Sequence, residues 1–491
     1  MGCATGTIAA YVPTSEMPWN RMRVAHLYRR LAFGATNQQI IDGLAMSPDA
    51  LIDQIIDQTL ALPLSPAPIW ADWTRYPIDD YAAGGDFSDQ AYGHLFELVP
   101  QWLNDMLTNS FRGKLALFWH NHFVTRFDTY DCSAYLYEYY KLLQEYALGN
   151  FRIFAHKMGI TPAMLMYLNG NENEVESPNE NYARELMELF TMGRDNGYTE
   201  DDIVEMSRAL TGWRASWETC EPANFVAERF DNENKTIFGQ TGNWRNDPDP
   251  EHPDNVVNLI IAHRGDETAT YICGKLYRFF VANEIDENIV AEMATTFKNN
   301  NFEIAPVLRQ LFKSEHFFDE ANIGHNIKSP MEWYLSKIHT LEIPYTDETL
   351  SSVFWFSFEL GQYLFFPVNV AGWPGHRAWI NENALTRRWE TTPYFSLWLE
   401  LPILQSWVTL VKNLSGNSNN PLTITTAVAD FMFPKGLPLE QDYINATDVL
   451  KGDIPQNYFD DGSWNLDWEE APYQLRDLVY YLMRLPSYQL N

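Results

Sequence analysis

Cysteine is scarce in this chain. Its 491 residues include four cysteines, Cys3, Cys132, Cys220 and Cys273. They are far apart in sequence and form no CxxC pair, so a thiolate zinc site is not expected and no disulfide framework is indicated. The spacing therefore predicts buried free thiols.

Long hydrophobic runs are also missing. No apolar stretch reaches the roughly 18 residues that a membrane helix needs, so no membrane span is predicted. The first ten residues lack a basic segment followed by an apolar one, as a signal peptide would have. As written, the chain is expected to be cytoplasmic; an upstream signal would make it exported or periplasmic, with Gly2-Cys3 as the remnant of a lipoprotein cleavage box.

Basic residues are outnumbered almost two to one. The chain has 34 Lys plus Arg against 65 Asp plus Glu, a formal net charge of −31. Such a surface repels nucleic acid and anionic lipid, so a nucleic-acid partner is excluded. A solvated acidic face is the common reading, and cation binding is the alternative.

Helical patterns dominate the chain, and no strong strand alternation is present. We expect a mainly α fold: a large, irregular multi-helix domain with long loops, a small helical C-terminal subdomain and little or no sheet. The predicted divisions are an N-terminal extension at 1–20, a helical core at 21–412 and the C-terminal subdomain at 421–491.

Local capping signals predict where several helices begin. Thr36 is expected to cap one helix and Thr199 another, while Ser177 followed by Pro178 and Glu180 forms a capping box with proline at the first helical position. The helix after Ser177 is expected to run to about Met192. A further helix is predicted over 267–281.

Two histidines, His120 and His122, stand at the end of a helical pattern. On a strand they would share a side and could ligate one metal ion, whereas on a helix they diverge by about 200°. The alternative is that one is a packed, hydrogen-bonded histidine and the other is partly exposed. Their spacing does not match the nuclease motif that shares the letters His-Asn-His.

A second candidate group lies on the helix after Ser177. Glu185 and Glu188 are three residues apart and share a face, and Arg184 can pair with Glu188. Partial burial would suit the carboxylates to acid–base work or metal ligation. A structural ion-pair network between packed helices is the alternative.

Several further residues are candidates for substrate binding. Lys275 and Arg278 form a local basic face that could hold an anion, and Trp373 and Trp379 flank a Gly- and Pro-rich loop where exposed rings could stack on a sugar. Pairing with internal acids and a role in the core are the alternatives. The remaining candidates are Arg208, Trp213 and His263.

The chain resembles the bacterial "domain of unknown function 1800" family over roughly 21–398. The residues that carry the resemblance are 25–34, 118–123, 178–193, 198–202, 208–213 and 369–375. The resemblance implies no established activity. It implies a bacterial, often exported protein, frequently encoded beside a sulfatase-like family, which makes such a protein a candidate partner.

One position departs from the family pattern. Relatives often have His-Asp before a Gly-x-Lys segment, and this chain has Phe230-Asp231. If that histidine is catalytic in relatives, the same activity is in doubt here.

Three functions remain open at this point. The first is a metal-assisted enzyme, such as a hydrolase, with His120, His122, Glu185 and Glu188 around a divalent metal ion and Arg184 beside them. The second is a non-catalytic helical scaffold or partner protein. The third is a protein that binds a glycan or another small molecule.

Overall fold

The computed structural model describes residues 5–75, 86–397 and 399–491. Helix accounts for 58% of the chain and strand for 4%, which confirms the prediction of a mainly α protein. Within the described residues, no helix combines the length and apolar character that crossing a membrane requires. Cys3 and the Gly2-Cys3 step lie outside these residues.

The first half of the chain contains short and medium helices that alternate with loops. Their bounds are α1 Arg21–Leu31, α2 Asn37–Leu44, α3 Pro48–Ala61, α4 Phe87–Thr108, α5 Ser110–His122, α6 Ser133–Glu145, α7 Phe151–Gly159, α8 Pro162–Tyr167, α9 Glu180–Glu185 and α10 Glu200–Ala209. Two antiparallel two-stranded sheets follow: β1 Trp213–Arg214 with β2 Asn224–Phe225, and β3 Lys235–Ile237 with β4 Gln240–Gly242.

The second half is helical. Its bounds are α11 Val256–Phe280, α12 Glu287–Asn299, α13 Ile304–Phe312, α14 Pro330–Thr340, α15 Asp347–Glu359, α16 Glu382–Thr391, α17 Leu401–Ser415, α18 Pro421–Met432, α19 Glu440–Lys451, α20 Gln456–Asp460 and α21 Ala471–Met483. Helix α11 begins earlier than the predicted 267–281 and has a break in its backbone at Arg264.

Two of the three predicted helix caps are confirmed. The side chains of Thr36 and Thr199 accept backbone N–H groups of α2 and α10, each within a complete capping box. The Ser177 prediction is wrong, because Asn179 caps α9 and accepts the N–H of Asn181. Helix α9 then continues as a π-helical turn over Leu186–Thr191.

The prediction of free thiols is wrong for two of the cysteines. Cys132 and Cys220 form a disulfide across 88 residues, with their Cα atoms 5.7 Å apart. The bridge joins the start of α6 to the loop between β1 and β2. Tyr135 strengthens the same junction, because its hydroxyl donates to the carbonyl of Glu221. Cys273 is a buried free thiol, as predicted.

Most of the abundant aromatic side chains pack in one hydrophobic core. Five tryptophans are among the largest fully buried side chains: Trp70, Trp102, Trp119, Trp333 and Trp464. Burial of side chains this large removes much apolar area from water and is the main favourable contribution to folding. The packed core also fixes α5, α11 and α14 around the cavity described next.

Candidate active-site cavity

A cavity of about 430 Å³ opens between α5, α11, α14 and the loop 369–376. That volume lies within the usual range for small-molecule sites, roughly 300–1,000 Å³. Its polar lining includes Arg30, Lys114, Asn121, His122, Lys275, Arg278, Glu332 and His376. Its apolar lining includes Leu117, Phe118, Tyr271, Phe279, Trp373 and Trp379.

The C-terminal end of α5 ties several distant segments together. Because successive residues on a helix point about 100° apart, the side chains of Trp119, His120, Asn121 and His122 leave the axis in different directions. Trp119 donates its indole N–H to the carbonyl of Ala147. The backbone at His120 and His122 is helical, whereas a metal site shared by these two histidines would need an extended chain.

His120 lies in the dry core, away from the cavity. Its Nε2 accepts the N–H of Phe365 at 3.0 Å, so the ring proton is on Nδ1 and is donated to the Tyr139 hydroxyl at 2.7 Å. Burial lowers the pKa of His120 to about 3. Both ring nitrogens are occupied, and the imidazole holds the 365 segment against α5.

His122 has the opposite tautomer and lines the cavity. The carbonyl of Phe190 can only accept, so Nε2 of His122 carries the proton and donates it over 3.1 Å. Nδ1 then accepts an N–H from Nζ of Lys275 at 2.8 Å. Burial, with a contribution from Lys275, lowers the pKa of His122 well below its ordinary value.

Asn121 positions the loop that closes one side of the cavity. Its Oδ1 accepts the N–H of Trp373 at 2.6 Å, and its Nδ2 donates to the carbonyl of the same residue. Gly372 precedes that tryptophan with φ +82°, and a Cβ there would collide with Asn121. Glycine is therefore required for this close approach of loop and helix.

The carboxylates of α9 and its π-helical turn do not reach the cavity lining. Glu188 is buried and bonds to Arg184 at 3.3 Å and Arg194 at 3.0 Å, and Arg184 also pairs with Glu200 at 2.7 Å. Burial and the neighbouring Glu188 raise the pKa of Glu185. These contacts form an ion-pair network that links α9 to α10.

The predicted metal site is therefore not assembled. The two segments meet, but His122 bonds to the backbone of Phe190 and not to Glu185 or Glu188. Among the described residues, no group of three or more His, Cys, Asp or Glu side chains is arranged to hold a metal ion. The helical backbone of α5 is the physical reason, since it sends His120 into the core.

Positive charge dominates the cavity wall. Burial lowers the pKa of Arg30 to about 10, which leaves it charged at neutral pH. Lys114 is paired with Glu332, whose carboxylate is the only acidic side chain in the described lining. Arg278 is exposed, and its guanidinium has no hydrogen-bond or ion-pair partner in the described part of the chain.

Unpartnered buried polar atoms collect at the same cavity. Nε of Arg30, Oδ1 of Asn326, Nε1 of Trp373 and Nε2 of His376 are buried and have no partner among the described residues. Such atoms are uncommon, because an unpaired buried donor or acceptor costs about 1–3 kcal/mol. Each of these four atoms is available to a polar ligand that enters the cavity.

A sequence comparison that covers nearly the whole chain shows its family. The sequence profile of the family described as "Protein of unknown function (DUF1800)" matches residues 26–490. The chain belongs to the DUF1800 family. Comparison with curated proteins gave no match, and comparison with solved structures gave none either.

Four of the segments that carry the DUF1800 resemblance meet at the cavity. The segment 25–34 supplies Arg30, 118–123 supplies Asn121 and His122, 178–193 supplies Leu189, and 369–375 supplies Trp373. The candidate residues Lys275, Arg278 and Trp379 also lie in its wall. Sequence reasoning missed Arg30, Lys114 and Glu332; the signal for Lys114 was a basic residue directly before the apolar run 115–119 of α5.

Other candidate residues of this DUF1800 chain lie elsewhere. Arg208 pairs with Asp231 at 2.7 Å and with Glu205 at 2.9 Å. Trp213 is buried and donates to the carbonyl of Asn246, and His263 is exposed. None of the three predicted binding residues Arg208, Trp213 and His263 lines the cavity.

Phe230, the position that departs from the family pattern, directly precedes Asp231, the ion-pair partner of Arg208. Phe230 is buried, and Nζ of Lys235 lies 4.3 Å from its ring centroid. Phe230 is therefore a packing partner of a lysine and does not touch the cavity lining.

The two tryptophans of the loop are buried, with 4% of Trp373 and 7% of Trp379 exposed. Stacking on a surface glycan needs exposed rings, so this condition of the glycan-binding hypothesis is not met. Both rings can contact only a molecule that enters the cavity.

Proposed function

We propose that this protein binds a small anionic organic molecule in the cavity between α5, α11 and the loop 369–376. The observation that carries the proposal is the charge of the wall. Four basic side chains and one acidic side chain line a cavity in a chain of net charge −31. Local enrichment in cations against such a background is typical of an anion site.

Arg278 is the expected primary contact. Its guanidinium is accessible and free of internal partners in the described structure, so binding an anion breaks no existing ion pair. A planar guanidinium also matches the two oxygens of a carboxylate, phosphate or sulfate group. Nε of Arg30 and Nε1 of Trp373 are further donors without partners.

The apolar lining supports an organic ligand and not a bare inorganic ion. Phe118, Tyr271, Phe279 and Trp373 contribute aromatic surface to the wall. Pockets for organic ligands typically combine such surface with a few placed polar groups. The expected ligand therefore has a carbon skeleton as well as an anionic group.

Isothermal titration and thermal shift with phosphate, sulfate and malonate, at constant ionic strength, test this proposal. Loss of a hydrogen bond to a charged group costs about 1.5–3 kcal/mol, so R278Q should weaken binding roughly 10- to 150-fold. R214Q is the matched control, because Arg214 is exposed and lies outside the cavity lining.

Equal affinity of the wild type and R278Q would refute the proposal. So would the absence of saturable binding by any of the three anions. In that case the scaffold hypothesis becomes the better explanation, and a sulfatase-like protein remains its candidate partner.

The disulfide supports an oxidising compartment, in keeping with the exported alternative. Bridges such as Cys132–Cys220 persist mainly outside the reducing cytosol. Alkylation of thiols in intact cells before lysis tests this: modification of both cysteines in the native protein would refute it.

A further inference from the structure

Lys275 and His122 form a hydrogen-bonded pair on the cavity wall. We propose that Lys275 forms an imine with the carbonyl group of a small molecule whose anionic group is held by Arg278. The inference rests on the proposed anion-binding function and adds a substrate class to it, namely small carbonyl compounds that carry a carboxylate, phosphate or sulfate group.

The partner of Lys275 is a neutral acceptor. His122 uses its ring N–H on the carbonyl of Phe190, which leaves the lone pair of Nδ1 for an N–H of Lys275 at 2.8 Å. No carboxylate of the described chain forms an ion pair with Lys275. Its amine is thus oriented by a hydrogen bond without being held in the charged form by a counter-ion.

The surroundings favour the unprotonated amine. Burial, with a contribution from Arg278, lowers the pKa of Lys275 to about 7. At pH 7 about half of such amines are neutral, against roughly one in 2,500 for an ordinary lysine. Only the neutral amine has the lone pair that attacks a carbonyl carbon.

Comparison with the other lysine of the cavity wall supports this assignment. Nζ of Lys114 is paired with Glu332 and also donates to the carbonyl of Ala32. That ion pair stabilises the ammonium form and leaves no free lone pair. Within the described lining, Lys275 is therefore the better nucleophile.

Arg278 lies one helical turn after Lys275 on the same face of α11. Residues three apart on a helix have Cβ atoms on the order of 5–6 Å apart. The free guanidinium can therefore hold an anionic group while the carbonyl carbon of the same small molecule reaches Nζ. This spacing selects compounds in which the two groups are a few bonds apart.

The bond changes balance without an oxidant or reductant. Nζ forms a bond to the carbonyl carbon, and the carbonyl oxygen takes up a proton to give a carbinolamine. The nitrogen loses a proton to solvent. The hydroxyl then takes up a second proton from solvent, the C–O bond breaks and water leaves. The nitrogen releases its remaining proton to solvent as the neutral C=N bond forms. His122 is a positioning residue in this scheme.

Pyridoxal 5′-phosphate, an aldehyde with an anionic group, is a suitable probe. The protein is treated with this probe, reduced with borohydride and digested, and modified lysines are identified by mass spectrometry. We expect Lys275 to be labelled at least tenfold faster than any other lysine of the chain. K275M should lose this label, and R214Q should keep it.

Pyridoxal without the phosphate is the matched probe. R278Q should slow labelling by the phosphate compound about tenfold or more. It should slow labelling by pyridoxal by a clearly smaller factor, because loss of the Arg278 charge also lets the pKa of Lys275 rise. Labelling of Lys275 no faster than of the exposed Lys141 would overturn the imine inference. If malonate and phosphate still bind in an Arg278-dependent way, the proposed anion site survives that result. If neither the preferential labelling of Lys275 nor the Arg278-dependent anion binding is observed, the proposed function is refuted as well.

Two substitutions test His122 separately from folding. His122→Asn retains a side-chain acceptor near the position of Nδ1, whereas His122→Leu removes it. We expect the first variant to keep most of the Lys275 labelling rate and the second to lose it. Both variants are compared well below the lower of their two melting temperatures, where each is folded. Equal rates in the two variants would overturn the role of His122.

Discussion

Removal of the Cys132–Cys220 disulfide should lower the stability of the protein by a calculable amount. The bridge closes a loop of 88 residues. In the chain-entropy treatment, a loop of that length restricts the unfolded state by about 15 cal/mol/K, or about 4–5 kcal/mol at 25 °C. With an unfolding entropy of about 2.1 cal/mol/K per residue, this corresponds to a fall in Tm of about 4–5 °C for the whole chain.

Differential scanning fluorimetry of the wild type with and without a reductant measures this shift. The double variant C132A/C220A supplies the control, because it should melt at the lower temperature and should not respond to the reductant. Intact mass after alkylation shows whether the bridge is open in each sample. Cys273 is buried, so it should react with the alkylating reagent only after unfolding.

An unchanged Tm after complete reduction would refute the reasoning. It would mean that packing of α6 against the segment after β1 already restricts the unfolded or partly unfolded chain. A shift far above 5 °C would instead show that loss of the bridge disrupts native contacts, such as the Tyr135 hydroxyl on the Glu221 carbonyl.

Two further predictions concern ion pairing and helix capping. E332Q breaks the buried pair with Lys114 and should cost about 3 kcal/mol of unfolding free energy in urea titrations. Burial opposes ionisation of Glu332, but Lys114 outweighs burial and holds the pKa of Glu332 below its ordinary value. The stability that the ion pair contributes is therefore fully present above the pKa of Glu332 in the unfolded chain, and it is lost as the pH falls through the pKa in the folded protein. The difference from E332Q should therefore shrink below about pH 4, and a difference that grows on acidification would contradict this. N179A should cost about 1 kcal/mol and S177A nearly nothing, because Asn179 is the cap of α9; equal losses would contradict that assignment.

Local signals predicted the helical fold well. The boxes at Thr36 and Thr199 involve residues three apart, so the sequence alone contains both partners of each bond. Near Ser177 the sequence has two residues that could cap a helix, Ser177 and Asn179. The side chain of Asn173, which accepts the N–H of Asn179, favours the later start. The Cys132–Cys220 pairing depends on contacts across 88 residues, which no local pattern encodes.

The candidate site was predicted only in parts. The spacing of Lys275 and Arg278 was sufficient to infer a basic face on a helix. The same helical geometry argues against a shared metal site for His120 and His122 once α5 is known to extend to His122. What the sequence could not supply was the convergence of α5 with the loop 369–376, because the Asn121 bonds to Trp373 join positions 252 residues apart.

The opposite charges of surface and cavity also bear on the size of the ligand. At physiological ionic strength the Debye length is about 8 Å, so the acidic exterior acts weakly on a small anion that has entered the cavity, where nearby cations dominate. A polyanion such as nucleic acid would remain largely outside and would experience the full −31 charge. The cavity of about 430 Å³ admits the small anion and excludes the polymer. Charge distribution and volume together therefore favour a small anionic ligand, as an imine-forming carbonyl acid or phosphate would be.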